Sequence, residues 1–226
     1  MTQNTEFDLT KHTVRELNAA LHAAEEGSFT VLNTGGAHAL ACGLNAPLEV
    51  TLKGHAGYYA GGMNKEASVV VEGNVGTGCA ENIMSGVVRV MGDASQSLGA
   101  SGHGGLVVCE GSASARAGIS MKGVDIVVGG DVGHMSGFMA QAGRLVVLGD
   151  AGADLGDSIY EAEIFVRGDV VSLGADCEQK PMDPAHVDAL GALLRQAGLD
   201  ADPASFTRYG SARTLYNFHI DNAGEG

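Results

Sequence analysis

The chain has 226 residues, of which 35 are glycine and only 5% are aromatic, with no tryptophan. The hydrophobic fraction of 45% argues against disorder, and the glycines lack the triplet period of collagen. The net charge of −14 argues against nucleic acid or an anionic membrane as a partner, because both select basic surfaces.

The N-terminus and the cysteines indicate the compartment. The polar segment Met1–Lys11 lacks the apolar core of a signal peptide, and no apolar run approaches the length of a membrane span. The cysteines lie far apart and form no CxxC pair: Cys42, Cys79, Cys109 and Cys177. We therefore expect a soluble, cytoplasmic protein with reduced thiols.

The first predicted element is an amphipathic helix over residues 13–26. Thr13 and Glu16 have the spacing of a capping box, and Gly27 supplies a stop signal. The apolar stripe of this helix consists of Val14, Leu17 and Leu21. We assign residues 1–30 to an N-terminal helical cap.

A repeat of 19 residues follows the helix. Its anchors are seven glycines: Gly54, Gly73, Gly92, Gly111, Gly130, Gly149 and Gly168. The fourteen residues four and two positions before the anchors are all apolar, from Val50 and Leu52 to Ile164 and Val166. This spacing predicts a strand with both columns on one face. The anchor glycine is expected to turn the chain because glycine tolerates a positive φ.

Stacking such units places equivalent residues of successive coils next to each other and joins the apolar columns into one core. The repeat therefore predicts an all-β fold, a right-handed parallel β-helix of about seven coils over residues 31–177, with about 4.8 Å between coils. An imperfect coil precedes the others. Gly35 lies 19 residues before Gly54 and places Val31 in register, but Asn33 then occupies a core position.

A second helix is predicted over residues 184–197. Asp183 suits its N-cap, Pro184 its first turn, and Gly198 its end. Both helices are expected to close the ends of the solenoid, because an open coil exposes unpaired backbone. We assign residues 178–226 to this helix and an extended tail. The tail is expected to pack along a surface through its aromatic residues: Phe206, Tyr209, Tyr216 and Phe218.

The outward position three residues before each anchor is unexpectedly apolar. It holds Val70, Val108, Val127, Val146 and Phe165 in five of the seven coils. Parallel strands that are apolar on both faces are normally covered on both. Two interpretations are open: the chain's own second helix or tail covers this patch, or a partner subunit does.

Residues with catalytic or metal-binding chemistry are scattered over different columns. His103, His134 and Glu81 could serve acid–base catalysis, but nothing in the pattern pairs them. The loop Gly99–Gly104 resembles a phosphate-binding loop without its helix or lysine. We therefore assign no catalytic, cofactor-binding or metal-binding residue to this chain.

Aspartates recur one residue after the anchors, at Asp93, Asp131, Asp150 and Asp169. They could form a calcium ladder, as in nonapeptide β-rolls. We favour the alternative that these side chains accept hydrogen bonds from turn amides, because the period and the other ligand positions of a β-roll are missing.

Several segments carry a recurrent glycine-rich pattern: GHAGYYAGGMNKEA (54–67), AENIMSG (80–86), GASGHGG (99–105), ISMKG (119–123), GHMSGFMAQAG (133–143), LGDSIYEA (155–162) and RYGSARTLYNF (208–218). These segments resemble the GXGXG β-helix family. This family includes the C-terminal domain of the glutamate synthase large chain and one of the subunits of formylmethanofuran dehydrogenase. The chain most resembles the small GXGXG subunit of N-methylglutamate synthase, also called methylamine–glutamate N-methyltransferase.

The resemblance implies a non-catalytic scaffold within a split glutamate synthase. One partner would be a class II glutamine-amidotransferase-like subunit, and another an FMN-binding glutamate-synthase-like subunit with an iron–sulfur cluster. The complex would convert methylamine and glutamate into N-methylglutamate and release ammonia. No cofactor and no catalytic residue are implied for this chain itself.

Two other functions are weighed against that one. The first is a scaffold subunit of a formylmethanofuran-linked formyltransferase/dehydrogenase complex, which shares the coil pattern. The second is a stand-alone carbohydrate-active β-helix enzyme, which would need an acidic pair and stacking aromatic residues. The few aromatic residues disfavour the second alternative.

Overall fold

Eleven strands form one continuous sheet in the computed structural model, which describes residues 4–213, and two α-helices lie outside the sheet. The strands are β1 (Asn4–Asp8), β2 (Gly27–Leu32), β3 (Leu48–Leu52), β4 (Ser68–Val71), β5 (Val87–Val90), β6 (Leu106–Cys109), β7 (Lys122–Val128), β8 (Ala142–Val147), β9 (Glu163–Val166), β10 (Cys177–Lys180) and β11 (Thr207–Ser211). The helices are α1 (Val14–Ala23) and α2 (Pro184–Ala197), and one 3-10 turn covers Pro203–Ser205. The predicted all-β solenoid of about seven coils is confirmed.

Strands β3 to β9 pair in parallel, and Cα partners are 19 residues apart, as in Val50 with Val69 and Val128 with Val147. The one exception is Lys122 with Ala142, at an irregularity between β7 and β8. The fourteen side chains four and two residues before the anchors are each at most 1% exposed. Both predicted inward columns are therefore confirmed, and they form one side of the main core.

Two further straight runs complete each coil. Two residues after the anchors, isolated parallel bridges join Ala56 through every intermediate coil to Val170. Ten residues after the anchors lies another buried column, which includes Asn64, Ile83 and Met121. Each coil therefore encloses the core with three hydrogen-bonded walls.

The first coil does not follow the 19-residue register. Strand β2 pairs with β3 so that Phe29 faces Val50 and Val31 faces Leu52. The predicted alignment through Gly35 is therefore wrong by two residues. Asn33 is consequently exposed rather than in the core, and its amide donates to Asp8 Oδ1 at 2.8 Å. Strand β1 then adds a further parallel pairing, on β2.

Helix α1 starts where the sequence predicted and ends earlier. The capping box of Thr13 and Glu16 is present, but the helix stops at Ala23 because the chain turns extended at Ala24 to enter β2. Leu17 and Leu21 are buried in the main core. Asn18 Nδ2 donates to the Ala39 carbonyl at 2.8 Å, which fixes the helix against the first coil.

Helix α2 covers the outer face of the sheet instead of closing an end. It spans the predicted residues, with Asp183 as N-cap and Gly198 as C-cap. Its buried side chains are Leu190, Leu193, Leu194 and Ala197. They form a second core cluster with Phe206 and with four outward apolar residues of the sheet, Val108, Val127, Val146 and Phe165. The chain itself therefore covers four of the five predicted outward residues, whereas Val70 is half-buried and lies outside this cluster. The predicted end-capping role of α2 is wrong.

Polar contacts hold both ends of α2 on the sheet. At its start, His186 Nε2 lies 3.3 Å from Glu163 Oε1, which also accepts from Arg208 Nε at 2.7 Å. At its end, Arg89 Nη2 donates to the Ala197 carbonyl at 2.5 Å. Because the apolar contacts are anchored at both ends, the helix has one defined position on the face.

The C-terminal edge of the parallel strands is covered by β11. This strand pairs antiparallel with β9 on one side and with β10 on the other. Tyr209 of β11 packs against the main core. The predicted surface packing of the tail is therefore replaced by sheet pairing at this strand. Tyr216 and Phe218 lie outside the described residues.

The anchor glycines serve close approach between coils and not the predicted turn conformation. Of the seven, only Gly54 has a positive φ. At Gly149, a Cβ atom would overlap Asp131 Oδ1 and lie 2.7 Å from the Gly130 carbonyl carbon. The left-handed residues instead come five, seven and nine positions after the anchors, as at Met135, Gly137 and Met139.

Val128→Asp tests the inward columns. It should lower the free energy of unfolding by on the order of 3–5 kcal/mol, because the carboxylate has no partner in the core. Val171→Asp is the matched control, because Val171 is 76% exposed. Chemical denaturation of both variants measures the difference, and equal stabilities would refute the column assignment.

Gly149→Ala tests the close approach of the coils. The added methyl has no room against the Gly130 backbone, so we expect a loss of about 1–3 kcal/mol. Gly210→Ala is the control, because its Cβ would lie no closer than 3.4 Å to any neighbouring atom, the nearest being Cγ of the flexible Lys180 side chain. Thermal unfolding compares the two, and a neutral Gly149→Ala would contradict the packing argument.

Candidate functional site on the solenoid surface

A hydrogen-bond ladder runs along the column one residue after the anchors. His55 Nδ1 accepts from the N–H of Asn74 at 2.9 Å, and the pattern continues to Asp150 Oδ1, which accepts from the N–H of Asp169 at 2.8 Å. The full column is His55, Asn74, Asp93, Ser112, Asp131, Asp150 and Asp169. The predicted bonding of side chains to backbone amides is confirmed for Asp93, Asp131 and Asp150, whereas Asp169 takes part through its own N–H.

The ladder explains why the column mixes side-chain types. An imidazole nitrogen, an amide oxygen, a hydroxyl and a carboxylate can each accept one N–H bond in the same place. The acceptors therefore align neighbouring coils. Within residues 4–213, no group of three or more His, Cys, Asp or Glu residues is placed to hold a metal ion.

The glycine-rich loop at Gly99–Gly104 follows the coil geometry. Gly99 adopts a φ of +64°, like the corresponding Gly118 and Gly137 of later coils. A Cβ at Gly102 would lie 2.7 Å from Val124 Cγ1, so this glycine makes room for the core. These glycines are thus explained by packing, and the loop does not lead into a helix.

The acid–base candidates lie in different columns of the surface. Glu81 comes eight residues after its anchor, His103 eleven and His134 four. Both histidines are exposed. Among residues 4–213, no hydrogen bond links the side chains of these three residues, so the structure does not bring them together.

The four cysteines are free thiols, with Cys42 half-buried and the other three buried. Burial raises the pKa of Cys109 to about 12 and that of Cys177 to about 11. Burial also raises the pKa of Cys79 and Cys42. A thiolate is the reactive form, so burial disfavours nucleophilic chemistry at these positions.

A cleft of 270 Å³ lies where β10 and β11 meet the last complete coil. Its cations are Lys180, Arg208 and Arg213. Each of them is paired with a carboxylate, on Glu178, Glu163 and Asp176 respectively. The cleft is therefore a set of ion pairs that holds the two strands rather than an open anion site.

Two adjacent tyrosines project from the coil that begins at Gly54. Tyr58 is 51% exposed and stacks on His38, with ring centroids 4.5 Å apart. The ring of Tyr59 lies over Gly78 of the next coil, where a Cβ would be 2.7 Å from its Cδ1. Glycines in one coil thus make room for aromatic rings from its neighbour.

The third wall carries an unusual outer surface. We call the exposed and partly exposed side chains nine and eleven residues after the anchors Gly54 to Gly149 the acid-free wall. The column eleven residues after the anchors consists of six exposed residues: Lys65, Met84, His103, Lys122, Gln141 and Tyr160. The column nine residues after the anchors consists of Met63, Asn82, Ser101, Ser120, Met139 and Ser158. No Asp or Glu occupies either column, although the chain has 27 acidic residues.

Backbone bonds keep the wall in register. In the column nine residues after the anchors, the N–H of Met63 donates to the Glu81 carbonyl of the next coil at 2.8 Å. In the column eleven residues after the anchors, the N–H of Met84 donates to the Asn64 carbonyl of the preceding coil at 2.7 Å. This surface was not predicted from the sequence, although the recurrence of methionine and the lack of acids at fixed repeat positions were visible there.

The fold and its surfaces define a parallel β-solenoid protein with a helix on one face and without an assembled metal cluster in residues 4–213. None of the helices in that part of the chain combines the length and apolarity required to span a bilayer. No protein-family model matches the chain.

The chain is 57% identical over 222 residues to Protein GlxC of Rhizobium meliloti (strain 1021). The similarity covers 96% of this chain and 97% of that protein. The chain therefore belongs to the GlxC family.

Two variants of Asp150 test the ladder. Asp150→Asn keeps an acceptor for the Asp169 amide, as Asn74 does for Asp93, and should leave stability within about 0.5 kcal/mol of the parent. Asp150→Ala loses the acceptor and should lower stability by about 0.5–1 kcal/mol. Urea denaturation at neutral pH separates them. If both variants were equally stable, the ladder would not contribute to the fold.

Thiol alkylation tests the cysteines. Protein prepared without reductant, then denatured and alkylated, should show four modified cysteines by mass spectrometry. In the native protein only the half-buried Cys42 should react, and slowly, because burial raises its pKa. Two or fewer modified residues after denaturation would reveal a disulfide.

Proposed function

We propose that this chain is a non-catalytic structural subunit of a glutamate-synthase-like complex. The complex makes N-methylglutamate from methylamine and glutamate and releases ammonia. In this proposal the solenoid holds an amidotransferase-like subunit and an FMN-binding subunit in a fixed arrangement. The chain is thus part of a methylamine–glutamate N-methyltransferase without supplying its reacting groups.

The observation that carries the proposal is the 19-residue coil itself. The segments that resemble the small GXGXG subunit fall on successive coils of the solenoid, from GHAGYYAGGMNKEA (54–67) to LGDSIYEA (155–162). The resemblance thus extends along the stacking direction, because each of these segments includes the stretch from eight to twelve residues after its anchor. A stack with coil-to-coil bonds is also a stiff support, which suits a scaffold.

The chemistry in this proposal belongs to the partners. The FMN and the iron–sulfur cluster are assigned to the glutamate-synthase-like subunit, and the class II amidotransferase fold to the other. The described residues of this chain offer scattered histidines and thiols with raised pKa, which agrees with a supporting role.

Isolation of the tagged full-length chain from its source cells, grown on methylamine, tests the proposal. We expect a complex with two further subunits, flavin absorbance, and formation of N-methylglutamate from methylamine and glutamate. Mass spectrometry identifies the partners. A complex without the chain, reconstituted from the partners alone, should assemble poorly.

Other results would contradict this function. A metal-dependent amidohydrolase as partner would favour the formylmethanofuran-linked complex instead. Glycosidic activity of the isolated chain would favour a stand-alone enzyme. A chain that remains alone at every purification step would exclude a subunit role.

A further inference from the structure

The acid-free wall differs in charge from the rest of the molecule. The chain has a net charge of −14, yet the two columns of the wall carry Lys65 and Lys122 and no carboxylate. In the three central coils, the whole stretch from eight to twelve residues after the anchor lacks acids: Ala100–Gly104, Ile119–Gly123 and Phe138–Ala142. Acidic side chains border the wall only in its outer coils, at Glu66, Glu81, Asp157 and Glu161.

The wall is also rich in exposed large apolar side chains. Met63 is 55% exposed and Met84 is 47% exposed, and Met139 and Tyr160 project from the opposite end. Methionine and tyrosine are enriched in protein interfaces, whereas aspartate and glutamate are depleted there. Methionine also adapts its shape to a partner surface because its side chain is unbranched.

The wall is rigid in the way that an interface requires. Its side chains alternate with a fully buried column, in which Asn64, Ile83 and Met121 are 0% exposed. Asn64 is fixed by its own bonds, donating to the Ala67 carbonyl at 2.7 Å and accepting from the Ala67 N–H at 3.1 Å. The six coils of the wall span about 24 Å along the solenoid at the usual strand spacing.

We propose that the acid-free wall is the docking surface for a partner protein subunit. The partner presents an apolar strip against the methionines and carboxylates opposite Lys65 and Lys122. These two lysines are three coils apart, which places the partner's carboxylates about 14 Å from each other. The inference rests on the proposed function, because it names the surface through which the scaffold holds one of its subunits.

Charge complementarity selects a protein with an acidic rim as the occupant. Opposite charges around an apolar centre favour docking and its register, and like charges oppose wrong partners. The wall carries only two lysines, which is too few cations to bind nucleic acid or an anionic bilayer, because both select strongly basic surfaces. A second copy of this chain and the chain's own C-terminal residues are the alternatives that the experiment separates.

Methionine oxidation footprinting tests the proposal on the isolated full-length chain and on the purified complex. Met91 is the internal control, because it is 49% exposed and precedes its anchor on another part of the coil. In the isolated chain, Met63, Met84 and Met139 should oxidise within about threefold of Met91. In the complex they should oxidise at least about fivefold more slowly, whereas Met91 keeps its rate.

The other outcomes contradict the docking surface alone or the proposed function as well. A heteromeric complex in which the three methionines stay reactive, or in which Met91 is protected equally, overturns the surface and leaves the proposed function standing. Protection already present in an isolated monomer assigns the wall to the chain itself, and protection in a homo-oligomer assigns it to a second copy; both overturn the proposal. The absence of any heteromeric complex overturns the proposed function as well.

Substitutions give an independent readout on the same complex. Met84→Glu and Lys122→Glu each place an acid on the wall and should weaken partner binding at least about tenfold. Met91→Glu, the matched control, should change it by less than about twofold. Circular dichroism and melting temperature establish that all three variants are folded. Equal binding by Met84→Glu and Met91→Glu would overturn the proposal.

Discussion

Neighbouring coils of this protein approach so closely at the anchor column that no Cβ fits between them. At Gly111 and Gly168, as at Gly149, an added methyl would overlap the carboxylate of the preceding coil. That same carboxylate accepts a hydrogen bond from the N–H of the residue that follows the glycine. The glycine and the acceptor therefore form one unit, in which the missing side chain makes room for the bond. The regular stack of walls depends on this unit being repeated from coil to coil.

The stack of coils is covered on one face and at its C-terminal edge. The outer face of β6 to β9 is closed by α2, which is held by Glu163 at one end and Arg89 at the other. The C-terminal edge is closed by β11, which uses antiparallel pairing where the parallel coils end. The third wall is covered by neither element and presents methionine, tyrosine and lysine side chains. Its exposed methionine and tyrosine side chains and its lack of acids are typical of an interface rather than of an active site.

The distribution of charge follows the same division. Carboxylates are concentrated where they accept backbone bonds, as at Asp131 and Asp150, or pair with arginine, as at Asp125 with Arg144. On the acid-free wall carboxylates have no such bonding role within the chain, and both of its columns lack acids. A strongly acidic protein can thus keep one surface suited to an acidic partner, which links the coil architecture to assembly.

The sequence by itself determined the coil length, the inward columns and both helix starts, because these depend on local spacing that recurs at every unit. Val128, Thr13 and Asp183 could each be assigned from neighbours a few residues away. The tertiary structure alone decided the register of Val31, the position of α2 and the pairing of β11, since these depend on contacts between distant segments. It also showed that all but one of the anchor glycines lack a positive φ, because close approach between coils leaves no trace in a single unit. Whether Val127 and Val146 faced a helix or a partner had equal support in the sequence, and only the packing of Leu190 and Leu194 against them decided it.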